Sequence, residues 1–166
     1  AMLLELKTWA KYQCFSRRPR AGARNIIDCR WVFKWKYEKD EKGVERRIIR
    51  ARLTVRGFKD RQAADLDSYA GTAQRYSQRI TVSEAVSRGW DIATADVSKA
   101  FLQGVTYKEL AEITGEPQRE VNFYLPPGSV DILRQLPGFE DFDPSTEVCH
   151  CAQPGTGLGD APRAFR

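Results

Sequence analysis

The sequence predicts an α+β domain, and three observations carry that expectation. Apolar residues recur at helical spacing in the opening segment. Two long runs of alternating residues then flank a charged turn containing glycine. Beyond them, capped helical segments and short alternating runs follow one another with no internal repeat. A length of 166 residues allows one domain with a real core, or a piece of a larger one. Hydrophobic content of 42% and charged content of 30% exclude wholesale disorder.

The elements follow in order. "AMLLELKTWAKYQCF" sets Leu3, Leu6 and Trp9 or Ala10 on one face, which predicts an amphipathic helix. "SRRPRAGARN" is expected to be a basic loop. "DCRWVFKWKYEKDEKGVERRIIRARLTVRGF" reads as a long hairpin in which Trp31, Phe33, Trp35 and Tyr37 alternate with Val32, Lys34 and Lys36. "EKDEKG" supplies the turn and Gly43 its permissive φ. On the second arm Ile49, Ala51, Leu53 and Val55 share one face, and Arg50, Arg52, Thr54 and Arg56 share the other. With Lys34 and Lys36, those arginines form a surface suited to a polyanion. The alternative is a solvated edge strand whose cations discourage aggregation.

"FKDRQAADLDSYAGTAQRY" is expected to be an irregular connection. "SQRITVSEAVSRGW" resembles a short helix capped by Ser77 and closed by Gly89. In "WDIATADVSKAF" the alternation of Ile92, Thr94 and Asp96 predicts a strand that ends on an acid. "VTYKEL" holds a capping box, Thr106 with Glu109, and a staple pair, Val105 with Leu110, which predicts a helix to about Gly115. "REVNFYLPPG" reads as a strand with Val121, Phe123 and Leu125 on one face, stopped by Pro126 and Pro127. "LPGFEDFDPST" is a turn-rich loop.

A net charge of +5 and a pI near 9.1 make the chain moderately basic. No apolar run approaches the length of a membrane span and no signal-peptide pattern opens the sequence. A soluble, intracellular and cytoplasmic location is therefore the expectation, with no membrane partner. The cysteines at 14, 29, 149 and 151 lack the spacing of a zinc module. "CHC" at 149–151 could offer ligands, although a strand would send His150 to the opposite face. Asp96 carries the sharper question: an acid among apolar neighbours is costly to bury unless paired, and a bound cation is one candidate partner. Asp91 lies five positions earlier, so on one strand it would face the other way. A solvent-exposed strand end is the bland alternative for Asp96.

The order of these pieces resembles the reverse transcriptase of copia-type retrotransposons over nearly the whole chain. "RWVFKWK" and "RARLTVRGF" look like that family's fingers hairpin, "DVSKAFLQG" like its first catalytic motif, and "VNFYLPPG" like the strand that follows. "GLGDAPRAF" is similar to its Gly-Leu-x-x-Ala-Pro-Arg-Ala-aromatic segment, and the opening "AM" helix also fits. The family's Leu-Tyr-Gly-Leu reads here Gly155-Thr156-Gly157-Leu158, without the aromatic residue.

The resemblance implies the fingers and partial palm of a right-hand polymerase, with a basic β-hairpin and antiparallel palm strands packed on helices. Its expected parts are an N-terminal helix and basic loop over 1–28, a fingers-like region over 29–90, and an early palm over 91–166, ending before the Asp-Asp hairpin. Asp96 matches the first of the family's three metal-binding aspartates, and Val97 would offer its carbonyl to the same ion. Phe101 matches the aromatic beneath the nucleotide sugar; core packing beside Leu102 is its alternative. Arg50, Arg52 and Arg56 match residues that approach the incoming triphosphate, and Gly157, Ala161 and Pro162 match a segment against the nascent base pair. Two Mg²⁺ ions about 3.5–4 Å apart would serve the intact enzyme. Its partners would be an RNA or DNA template with primer, deoxynucleoside triphosphates and the remainder of the retroelement polyprotein. The family's other two aspartates stand adjacent, downstream of the Ala-Pro-Arg turn, and this sequence contains no such pair. The chain alone is therefore expected to be inactive, and a non-catalytic nucleic-acid-binding remnant of a decayed element is the rival reading.

Overall fold

The computed structural model describes residues 1–40, 42–66 and 68–165. It is a mixed α+β fold built on a five-stranded sheet in the order β1-β5-β4-β2-β3. The strands are β1 (Phe15–Pro19), β2 (Ile26–Lys39), β3 (Glu45–Val55), β4 (Asn122–Tyr124) and β5 (Glu147–Cys151). The helices are α1 (Met2–Lys11), α2 (Arg75–Arg88), α3 (Tyr107–Thr114), α4 (Val130–Leu133) and α5 (Ala161–Phe165).

The hairpin forms where alternation predicts it. β2 and β3 pair antiparallel from Cys29 opposite Val55 to Lys39 opposite Glu45. Gly43 takes φ +76°, and the Asp40 carboxylate accepts the backbone N–H groups of Lys42 and Val44, which fixes the turn. At its base Cys29, Ala51, Leu53 and Val55 are buried, whereas toward the tip Phe33, Trp35 and Tyr37 stand exposed. Arg47 lies over the Trp35 ring at 4.1 Å, partly shielding that aromatic face.

The first residues of β2 do a second job: they pair parallel with β4, Ile26 opposite Asn122 through Asp28 opposite Tyr124. β4 then pairs antiparallel with β5, and β5 with β1. The sequence predicted a loop where β1 stands. Its strand character was hidden by Arg17, which gains partners only from distant chain: a two-pronged contact to Glu147 at 3.0 and 2.8 Å, and an ion pair with Asp141.

α1 turns Leu6 and Trp9 fully inward, with Leu3 and Ala10 against the same core. Trp9 and Phe15 meet Phe123 edge-on at 6.0 and 5.9 Å, and Phe15 meets Phe139 at 5.2 Å. Side chains of this size contribute about 1.5–3 kcal/mol each on full burial. α3 begins as its capping box predicts: Glu109 donates its backbone N–H to Thr106 Oγ1, and Thr106 donates its own to the Glu109 carboxylate. Gly115 closes the helix at φ +71°.

Two expectations for 70–97 meet a different outcome. α2 begins at Arg75 with Gln74 at the cap position, not Ser77, although Gly89 does close it in the left-handed region. Asp91–Val97 adopts no strand. Alternation makes a strand only where another edge supplies hydrogen bonds, and here Ile92 and Val97 are exposed with no pairing among the described residues. The pleat therefore does not decide how Asp91 and Asp96 relate. Among the described residues of 61–101, Ala85 alone is buried.

Candidate functional site

A cleft of about 510 Å³ opens between the hairpin, α1 and the loop that precedes Leu102. The cationic face of the hairpin forms one wall with Lys36, Arg50 and Arg52; Asp96, Val97, Lys99 and Phe101 form the facing wall. Glu5 of α1 and Thr156 of the C-terminal turn complete the lining. Six of the residues singled out in the sequence thus share one cavity: Lys36, Arg50, Arg52, Asp96, Val97 and Phe101.

Arg50 and Arg52 reach it because alternation sets them on the face opposite the buried Ala51 and Leu53. Neither forms an ion pair among the described residues, and neither does Asp96. Phe101 is 40% exposed at the start of a single 3-10 turn, Ala100–Gln103, while its neighbour Leu102 is buried. Core packing therefore falls to Leu102, and the Phe101 ring faces the cleft in part.

Arg56 lies elsewhere. It ion-pairs with Asp28 at 2.9 Å, where Lys59 also binds at 2.9 Å. The Lys59 hydrogen bond, with the Arg56 charge, holds the Asp28 carboxyl below its ordinary pKa. Gly157 does not line the cleft either. It adopts φ +99°, and a Cβ there would come 2.2 Å from the Val55 carbonyl oxygen. Its role in this fold is close approach of two backbones, which only glycine permits.

Two features carried no sequence signal. Lys99, at φ +59° and ψ +33°, places its ammonium 2.8 Å from Glu5 Oε2. A lysine in the left-handed region costs roughly 1–3 kcal/mol, so the surrounding contacts must impose it. The second is a buried triad in which Arg119 binds Asp60 and Asp160 together. Arg119 also lies over the Tyr107 ring at 5.5 Å. Burial raises the Asp160 pKa, which Arg119 opposes, and burial raises that of Tyr107. The triad joins the loop after the hairpin, the segment before β4 and the residue before α5 (Asp160).

As for a divalent cation, the cleft holds two carboxylates, and Glu5 is already engaged by Lys99 and Trp9, which leaves the Asp96 carboxylate with the Val97 carbonyl as candidate donors. Among the described residues no three of His, Cys, Asp and Glu converge on a metal site, "CHC" included. His150 instead pairs its Nδ1 with Asn122 Oδ1 at 3.0 Å, and Cys149 and Cys151 are buried thiols. One carboxylate and one carbonyl suit Mg²⁺ only where phosphate oxygens and water supply the remaining ligands. No helix among the described residues is long and apolar enough to cross a membrane.

The chain is 32% identical over 148 residues, 89% of its length, to the retrovirus-related Pol polyprotein from transposon RE2 of Arabidopsis thaliana. It is 32% identical over 141 residues to the corresponding polyprotein from transposon RE1 of the same plant. To that from transposon TNT 1-94 of Nicotiana tabacum it is 27% identical over 166 residues. The chain spans only 8%, 8% and 11% of the length of these relatives. No family model matches it, and no solved structure does. Its homologues are thus Pol polyproteins of retrotransposons, which supports reading the chain as a fragment of a retroelement polyprotein.

Proposed function

We propose that the chain is the fingers and first part of the palm of a copia-type RNA-directed DNA polymerase, and that the cleft receives the incoming deoxynucleoside triphosphate. The observation that supports this most is the meeting of Arg50 and Arg52 with Asp96, Val97 and Phe101 around one cavity, from segments far apart in sequence. Arg50 and Arg52 would bind phosphate oxygens, and the Phe101 ring would lie against the sugar. Asp96 and the Val97 carbonyl would hold Mg²⁺, which supplies charge neutralisation at the phosphates and a more acidic primer hydroxyl. On this reading, 1–28 buttresses the hairpin, 29–90 forms the fingers-like region and 91–166 opens the palm. Template and primer would lie along the basic hairpin, and the rest of the polyprotein would contribute the adjacent aspartates.

One carboxylate cannot hold two Mg²⁺ ions in place, so the chain alone should give no templated DNA synthesis. The test is extension of a labelled primer by a longer chain that includes the downstream Asp-Asp pair. Synthesis that Asp96→Asn abolishes supports the reading. A longer chain that binds primer-template but never extends it favours the rival, a non-catalytic nucleic-acid-binding remnant.

A further inference from the structure

Lys99 is the one cleft residue held in a left-handed backbone conformation, and its side chain is tied to a buried acid from another element. Glu5 accepts the Lys99 ammonium on Oε2 at 2.8 Å and the buried Trp9 indole N–H on Oε1 at 3.3 Å. Its side chain is 5% exposed, so the carboxylate is fixed from both sides. An ammonium has three donors, and Glu5 takes one of them. Among the described residues the Lys99 ammonium has no other partner, and the side chain remains 25% exposed toward the cleft.

The charges of the cavity point the same way. Lys36, Arg50, Arg52 and Lys99 face Asp96 and Glu5, leaving an excess of two positive charges. That excess complements a triphosphate whose magnesium complex is still dianionic. We propose that Lys99 is a phosphate-binding residue of this cleft, aimed by Glu5 of α1, and that it contacts the terminal phosphates of a nucleoside triphosphate. The inference rests on the nucleotide-site reading above and adds to it a cation and a positioning carboxylate. Glu5 keeps the ammonium directed at one edge of the cavity, so that less freedom is lost when phosphate binds.

The test is titration of the purified chain with magnesium dTTP and with magnesium dTMP at low ionic strength. Replacing Lys99 alone would leave Glu5 buried and unpaired, so the principal variant is Glu5→Gln with Lys99→Gln, which leaves no buried charge behind. It should weaken dTTP binding about tenfold or more, the worth of a charge-assisted hydrogen bond, while dTMP binding stays put. Lys99→Arg should restore most of the dTTP preference, and Glu5→Gln alone should lose part of it. If the double variant melts as a folded protein and keeps the wild-type preference for dTTP, Lys99 is a structural pairing only and the inference falls. If the wild-type chain and the longer chain that includes the Asp-Asp pair both bind neither nucleotide, the nucleotide-site reading falls and takes this inference with it; if only the longer chain binds, the same variants are compared in it.

Discussion

The carbonyl oxygen of Thr156 accepts a hydrogen bond from the backbone N–H of Val55 at 2.9 Å. That bond joins the C-terminal turn to the base of the hairpin, and Thr156 lines the cleft beside it. The bond is possible because the next residue is Gly157, whose φ of +99° and missing Cβ let the two backbones meet. Gly57 serves the same contact from the other side, since a Cβ there would lie 2.3 Å from the Gly157 carbonyl oxygen.

Gly157→Ala should therefore destabilise the fold by about 2–3 kcal/mol through backbone strain and collision with Val55. Gly159→Ala is the control: a Cβ there meets nothing within 4 Å and φ is ordinary, so its change should stay within about 0.5 kcal/mol. Urea denaturation midpoints decide it, and equal midpoints for the two variants would remove Gly157 from this packing role.

The basic face of the hairpin should give weak, sequence-independent affinity for primer-template that falls with salt. Arg50→Gln and Arg52→Gln should each flatten the log–log salt slope by roughly 0.7–0.9, one phosphate contact apiece. Arg56→Gln should leave the slope alone, because its guanidinium is committed to Asp28. A slope indifferent to Arg50 and Arg52 would return the face to the solvated-edge reading.

Phe101→Val tests the sugar contact in the longer chain that includes the paired aspartates. With 40% of the residue already exposed, the stability loss should be under about 1.5 kcal/mol, below that of a buried phenylalanine. The kcat/KM ratio of deoxynucleotide to ribonucleotide should fall, because discrimination resides in that ratio. An unchanged ratio with a lowered melting temperature would make Phe101 a packing residue.

Arg119→Met should cost about 3–5 kcal/mol, since it strands Asp60 and Asp160 as buried carboxylates facing one another. Adding Asp60→Asn and Asp160→Asn should recover much of that loss. Thermal unfolding of the single and triple variants measures the coupling.

His150 sets a pH dependence of its own. Asn122 donates its amide to the Arg24 carbonyl and the Glu120 carboxylate, so its Oδ1 faces His150 and the imidazole carries its proton on Nδ1. Burial, with the nearby Arg18 charge, lowers the His150 pKa below 6.5. Below about 6.5 the unfolded chain takes up a proton that the folded chain refuses, so stability falls as pH drops through that value. His150→Gln should abolish this slope. Asp28, Glu120 and Glu147, whose pKa values are lowered in the fold, lose their contribution only further down, as pH falls through about 4. A pH series of urea midpoints separates the two windows.

What could be read from the sequence was local. The capping box of Thr106 and Glu109, the hairpin alternation from Trp31 to Val55 and the Leu3–Leu6–Trp9 face each encode their element within a few residues. The two walls of the cleft were also legible separately, as an arginine face and a "DVSKAF" run. Their partners were not, because contacts such as Lys99 with Glu5 span 94 residues and leave no periodicity behind. The same holds for β1, whose arginines look like loop residues until Glu147 and Asp141 stand beside Arg17. The run at 91–97 erred the other way: its alternation satisfies a strand pattern, but no edge meets it.

The sheet order has a consequence for how the chain is tethered. β4 and β5 lie between β1 and β2, so the early and late parts of the sequence interleave within one layer and share one core. The two parts are joined through the segment 61–95, where Ala85 alone is buried among the described residues. Its exposed stretches are where a protease cuts most readily. Cleavage there would divide the polypeptide without dividing the body, and the two fragments should elute as one particle. The connecting limb is then a covalent leash, and what it mostly contributes is the high local concentration at which two interlocking halves meet.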